Sequence, residues 1–208
     1  MDWEGKMIQT PRKPELLTMT IPSAIALKVT PEQFELLALA NRDLRLERTM
    51  QGELIVNPPT GWETGNRNVK ITYYLVKWIE EEGGGGLPFD SSTGFILPNG
   101  ATRSPDTSWV SQERWDRLTP EQKGTFAMIC PDFVVELRSV SDSIPPLREK
   151  MLEYLDNGAR LGWLLDPVNR QVEIYRVRQQ VEVLENPMEL SGEDVLLGFV
   201  LTMQRVWG

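Results

Sequence analysis

The chain has 208 residues, with 30 acidic against 22 basic side chains, a net charge of −8 and a pI of about 4.8. That length suits one large domain, and 40% hydrophobic with 25% charged residues is the balance of a globular protein. There is no histidine and one cysteine, Cys130, which excludes Ser-His-Asp triads, Cys-His pairs, histidine-based zinc sites, thiolate clusters and an internal disulfide. Any hydrolytic chemistry must run on carboxylates, lysine, arginine, hydroxyls and a hard cation such as Mg²⁺ or Mn²⁺. The acidic balance argues against broad nucleic-acid affinity, yet it leaves room for a local basic groove or a metal-bridged phosphate. With no apolar run of membrane-spanning length and no signal peptide, the expected location is the cytoplasm, without membrane contact.

Residues 1–20 mix Pro, Lys, Arg and Thr without a period and are expected to form an extended or partly disordered arm ahead of a single domain over 21–208. Thr30-Pro31-Glu32-Gln33 predicts a capped helix start, followed by the stripe Phe34, Leu37, Ala38. Residues 44–48 and 53–56 alternate as strands around a turn at Met50-Gln51-Gly52. Pro58-Pro59-Thr60-Gly61 breaks the chain before a strong helix carrying Ile71, Tyr74, Leu75, Trp78 and Ile79. Gly83 to Gly86 ends it and predicts a flexible connector, since no Lys-Ser/Thr follows as in a phosphate loop.

From Phe89 to Val110 the pattern predicts β structure, with a hairpin at Asn99-Gly100 and a strand over Pro105–Val110. A helical excursion over 114–126 precedes Pro131–Ser139, where Phe133, Val135 and Leu137 alternate with Asp132, Val134, Glu136 and Arg138. A helix from Ser143 to Asn157-Gly158 buries Leu147, Met151, Tyr154 and Leu155. Strands follow at 161–166 and 172–177, and further ones within 181–184 and 199–203. This order predicts a mixed α/β domain with a central mixed sheet, not a repeated βαβ series.

The candidate chemistry lies on two of these strands. If the strands holding Asp106 and Glu136 pair, two carboxylates converge at one edge of the sheet, and like charges so close call for a cation. A bound Mg²⁺ would acidify a water and stabilise charge on a phosphoryl oxygen, as phosphodiester hydrolysis requires. The alternative is ordinary ion pairing, Arg103 with Asp106 and Glu136 with Arg138.

The ordered set Gly52-Glu53-Leu54, Pro58-Pro59-Thr60-Gly61, Arg103-Ser104-Pro105-Asp106, Pro131–Ser139, Lys150…Tyr154…Asn157-Gly158 and Gly162-Trp163-Leu164-Leu165-Asp166-Pro167 resembles the bacterial Uma-type family of the PD-(D/E)XK nuclease superfamily. The resemblance runs from about Thr30 to the C-terminus. It implies a restriction-endonuclease-like core, a central mixed β-sheet flanked by helices, and a Mg²⁺- or Mn²⁺-dependent endonuclease acting on DNA. By position, Asp106 matches the aspartate of the first half-motif and Glu136 the acid of the second, both metal ligands. The lysine expected two residues after that acid is Arg138 here. Arginine stays protonated and cannot act as a base, though it can hold a phosphate. Lys150 would then supply the ammonium from the next helix, or else be a solvated lysine. Glu53 is a further candidate metal ligand, with Glu47 as its rival.

Asp132 can cap the start of its strand, and Ser139 and Ser141 can contact phosphate or satisfy local backbone groups. Of the seven tryptophans, core packing accounts for most, while an exposed one such as Trp62 could stack on a base. Two other functions stay open at this stage: a catalytically inactive nuclease fold that binds nucleic acid or a protein, and an interaction module whose carboxylates are only salt-bridged. Cutting two antiparallel strands would favour a homodimer.

Overall fold

Thr30 and Gln33 close the expected capping box, each side chain bonding the other's backbone N–H, and so start α1 (Pro31–Ala40). The computed structural model describes residues 26–207, and the arm expected at 1–20 lies outside them. Strands β1 (Arg45–Arg48) and β2 (Leu54–Asn57) form the first hairpin, with Gly52 at φ 86° in its turn. The left-handed conformation there is one that glycine adopts without a Cβ clash.

α2 (Trp62–Glu81) follows, and its Ile71, Leu75 and Trp78 are buried in one core. The burial of Ile71 and Leu75 contributes roughly 1.5–3 kcal/mol each. The glycines after it are not a loose connector. A Cβ on Gly84 would lie 2.4 Å from the Trp78 ring, and one on Gly86 2.5 Å from both Trp109 Nε1 and the Val110 carbonyl. The Trp109 indole also donates to the Gly85 carbonyl at 2.9 Å. Close packing of two indoles against bare backbone explains Gly84 and Gly86, while Gly83 and Gly85 take the left-handed backbone at φ 73° and 64°.

β3 (Leu87–Asp90), β4 (Phe95–Ile96), β5 (Thr102–Arg103) and β6 (Thr107–Val110) come next. β4 and β5 pair around the loop holding Asn99-Gly100. The excursion predicted over 114–126 resolves into two short helices, α3 (Gln112–Asp116) and α4 (Pro120–Lys123), the second starting with its own capping box at Thr119 and Gln122. Then come β7 (Phe133–Leu137), α5 (Ile144–Asp156), β8 (Leu161–Asp166), β9 (Gln171–Arg176) and β10 (Glu182–Glu185). A small pair, β11 (Glu189–Ser191) with β12 (Val200–Thr202), and α6 (Gln204–Trp207) complete the described chain.

The strands build a four-stranded sheet in the order β2-β1-β5-β4 and a six-stranded sheet in the order β10-β9-β8-β7-β6-β3. In the larger sheet β7 and β8 run parallel, joined through α5, while the other neighbours are antiparallel. The expected mixed sheet flanked by helices is therefore the architecture observed.

Strand β7 is buried on both faces. Phe133, Val135 and Leu137 join the core that contains the α2 stripe, and Val134 joins the core that holds Met151 and Tyr154 of α5. Glu136 shares the second face by the two-residue period. Between β5 and β6 the chain leaves the small sheet and enters the large one within Ser104-Pro105-Asp106. This crossing brings the two sheets together at one point.

Candidate functional site

Four elements meet at that crossing. β1 supplies Arg45 and Glu47, the β5–β6 crossing supplies Asp106, β7 supplies Glu136, and α5 supplies Lys150, Glu153 and Tyr154. Thr107 pairs with Val135 across the strands, so Asp106 comes opposite the Glu136-Leu137 step, and its Oδ2 accepts the Leu137 N–H at 2.9 Å. Asp106 Oδ1 accepts from Asn68 Nδ2 at 3.2 Å and from Arg45 Nη1 at 3.4 Å.

Glu136 is 2% exposed. Its Oε1 lies 2.8 Å from Lys150 Nζ and accepts the Tyr154 hydroxyl at 3.0 Å. Lys150 Nζ also donates to Glu47 Oε1 at 2.9 Å. The Ser104 N–H donates to that same oxygen at 3.2 Å, and Arg103 bridges Glu47 at 3.3 Å and Glu153 at 2.6 Å. Four carboxylates (Glu47, Asp106, Glu136, Glu153) thus share three cations (Arg45, Arg103, Lys150).

The shortage of positive charge falls on Glu136. Burial, reinforced by the neighbouring Asp106 and Glu47 carboxylates, lifts its pKa to about 7 against the pull of Lys150. Glu47 is also buried, which pushes it up, but Lys150 and Arg103 outweigh that and hold it below its ordinary value. Burial works against the Lys150 ammonium, yet the two glutamates more than reverse it and raise its pKa. Burial and the same glutamates raise the Tyr154 phenol well above its usual range, so it remains a donor.

Asp106, Glu136, Arg138 and Lys150 all line one cleft of about 730 Å³. Arg138 stands at its edge, with Nη1 on Asp166 at 2.8 Å and Nε on the Asp142 carbonyl at 3.2 Å. The pairs Arg103–Asp106 and Glu136–Arg138 do not form, because Arg103 turns to Glu47 and Glu153 while Arg138 turns to Asp166.

Glu53 does not join the cluster: it sits opposite Thr49 at the turn end of the hairpin, makes no side-chain bond to these residues and does not line the cleft. Glu47, two residues nearer the base of the hairpin, is the acid that β1 delivers. Asp132 accepts the Ser111 N–H at 2.9 Å and pairs with Arg114 at 3.1 Å, a strand-start role. Ser139 and Ser141 line the cleft, with their hydroxyls 2.9 Å apart.

Sequence reasoning missed Arg45, Asn68, Glu153 and the Tyr154 hydroxyl, and it gave Arg103 the wrong partner. The signal for Glu153 and Tyr154 was their spacing of three and four residues from Lys150 on one helix.

The donor set suits a hard cation. Mg²⁺ typically takes one or two carboxylates and fills its other positions with water and substrate oxygens, and Asp106 with Glu136 offers that number. Glu136 Oε2 accepts no hydrogen bond from the described residues, and the carboxylate excess would be relieved by a divalent charge. Among the described residues no three His, Cys, Asp or Glu side chains form a closed metal cage, so these two acids would be the protein's share.

A search of curated proteins finds no match. Among solved structures, the chain is similar to the crystal structure of a putative nuclease belonging to DUF820 from Anabaena variabilis ATCC 29413, with 21% identity and a TM-score of 0.71, over 86% of this chain and 97% of that one. At that identity the likeness shows a shared fold. The model of the Uma2 family, described as putative restriction endonuclease, matches residues 31–204. These residues take in both sheets, the crossing between them and every member of the charge cluster, and the chain belongs to the Uma2 family.

Proposed function

We propose that this protein is a divalent-metal-dependent endonuclease that hydrolyses DNA phosphodiester bonds in the cleft bearing Asp106, Glu136 and Lys150. The observation that carries the proposal is a buried carboxylate pair, Glu136 on β7 and Asp106 just ahead of its neighbour β6, both lining the cleft, with a lysine ammonium 2.8 Å from Glu136. Asp106 and Glu136 would hold Mg²⁺ or Mn²⁺. Such an ion acidifies a bound water and stabilises charge on a phosphoryl oxygen.

The chain's own groups prepare the site. The Leu137 N–H and Asn68 orient Asp106, and Tyr154 fixes one oxygen of Glu136. Lys150 takes the place of the lysine that Arg138 replaces in the second half-motif. With its pKa raised it stays an ammonium, so it offers positive charge rather than a base. Arg138 Nη2 makes no hydrogen bond to the described residues and is free to hold a phosphate oxygen. A two-fold dimer in the cytoplasm would let two such sites meet opposite strands of a duplex.

Supercoiled plasmid nicking tests the proposal. The wild type is expected to nick with Mg²⁺ or Mn²⁺ and not with EDTA. Asp106→Asn, Glu136→Gln and Lys150→Met are each expected to lower the rate by on the order of 10²-fold or more. Equal, metal-independent nicking by wild type and variants would overturn it.

A second reading, a nuclease fold that binds nucleic acid or a protein without cutting, draws on the pairing of Arg138 with Asp166. Calorimetry separates the two: Mn²⁺ binding that disappears in Glu136→Ala counts against the second.

A further inference from the structure

The cleft has a second end that the metal chemistry does not use. It is the first turn of α2, where Gly61, Trp62, Glu63 and Thr64 line the same cleft as Asp106 and Glu136. α2 is 20 residues long and starts at Gly61 with no side-chain cap. No described group accepts a hydrogen bond from the N–H of Trp62, Glu63 or Thr64. Such a terminus carries unpaired donors and the positive end of the helix dipole.

Two side chains there independently point to a ligand. Thr64 is 9% exposed, lines the cleft, and its hydroxyl has no hydrogen-bond partner among the described residues. The residue is mostly buried, but its hydroxyl oxygen is not sealed in the core and stays open to a ligand in the cleft. Trp62 is 96% exposed on the rim, where an indole of that size lies in water with nothing packed on its faces. The one acid of the turn, Glu63, is drawn to Arg67 Nη1 at 3.2 Å, and Arg67 also lines the cleft.

We propose that the first turn of α2 is a strand-binding subsite for a nucleotide flanking the scissile bond. The free N–H groups and the Thr64 hydroxyl hold its phosphate, while Trp62 stacks on its base. A paired base within a duplex presents no open face to an indole, so the subsite selects DNA with an unpaired stretch beside the cut. This proposal rests on the nuclease reading for its substrate, but the binding itself needs no cleavage.

The test uses the full chain and fluorescein-labelled DNA, one a single strand and one a blunt duplex, with Ca²⁺ present and anisotropy as readout. The wild type is expected to favour the single strand. Trp62→Ala is expected to weaken single-strand binding about tenfold and duplex binding far less. Thr64→Val, nearly the same shape, is expected to weaken both DNAs.

Gly61→Asp is the sharpest variant. Gly61 has φ −68° and open space where a Cβ would sit, so the fold accepts the change and the thermal midpoint should hold. Its carboxylate would cap the N–H groups and repel phosphate, and affinity should fall at least about fivefold. Unchanged affinity in Gly61→Asp, or an equal loss on both DNAs in Trp62→Ala, overturns the proposal. Oligonucleotide binding with this pattern, in a protein that never nicks plasmid with Mn²⁺, would sink the nuclease reading and leave the subsite standing.

Discussion

Glu136 carries opposite demands in one carboxyl group. Lys150 and Tyr154 favour its charged form, while burial and two neighbouring acids favour its protonated form and prevail in the metal-free protein. Its folded pKa, about 7, lies above the ordinary value of 4.5. The folded chain therefore binds a proton that the unfolded chain gives up between those values. By linkage, this group's contribution to stability is fully present below about pH 4.5 and is lost as pH rises through about 7. Glu47 has the opposite sign: its lowered pKa contributes stability above its ordinary value that is lost as pH falls. Urea unfolding of the metal-free protein at pH 5 and pH 7.5 measures the first effect. Glu136→Gln, which cannot ionise, is expected to lose less stability than wild type between these two values. An equal loss in both would show that Glu136 titrates normally.

Among the elements, the glycine run after α2 shows how tightly the chain is held where it turns from helix to sheet. Gly84→Ala would press a methyl group into the Trp78 ring and is expected to destabilise the fold by about 1–3 kcal/mol, seen as a lower urea midpoint with unchanged slope. A change of less than a few tenths would mean the run is slack after all. The same run marks a limit of the sequence: four glycines look alike on the page, and only the two indoles folded over them reveal a packed corner. Asp106 and Glu136 were legible because strand alternation and a short motif both act locally. The identity of the third acid was not. Glu47 and Glu53 lie on one face of the first hairpin, and the choice between them depends on which end of the hairpin meets α5. Tyr154 looked like one more apolar stripe residue, since its ring does pack in the core while its hydroxyl reaches Glu136.

For the whole molecule, the net charge of −8 opposes any polyanion, so the DNA binding that the proposed function requires would have to come from local features. A divalent ion at Asp106 and Glu136 would change the sign of the field where the backbone has to approach. Wild-type affinity for DNA is therefore expected to rise at least about tenfold when EDTA is replaced by Ca²⁺ at constant ionic strength, and Asp106→Asn should abolish that rise. Equal affinity in Ca²⁺ and EDTA would place recognition elsewhere on the surface. Among the described residues no helix is long and apolar enough to cross a membrane.

The bond between Glu47 and Lys150 spans 103 positions of sequence, and the bonds of Asp106 to Leu137 and Arg45 span 31 and 61. The first needs β1 of the small sheet docked on α5, the second needs β7 paired beside the crossing, and the third needs β1 packed against the crossing. On a ribosome, the hairpin and the crossing emerge well before Lys150 has been synthesised. Until then the acids are solvated, separately placed side chains with ordinary affinities. On the proposed function, an unfinished or misassembled chain would lack the assembled acids, and DNA cutting would be confined to molecules that have finished folding.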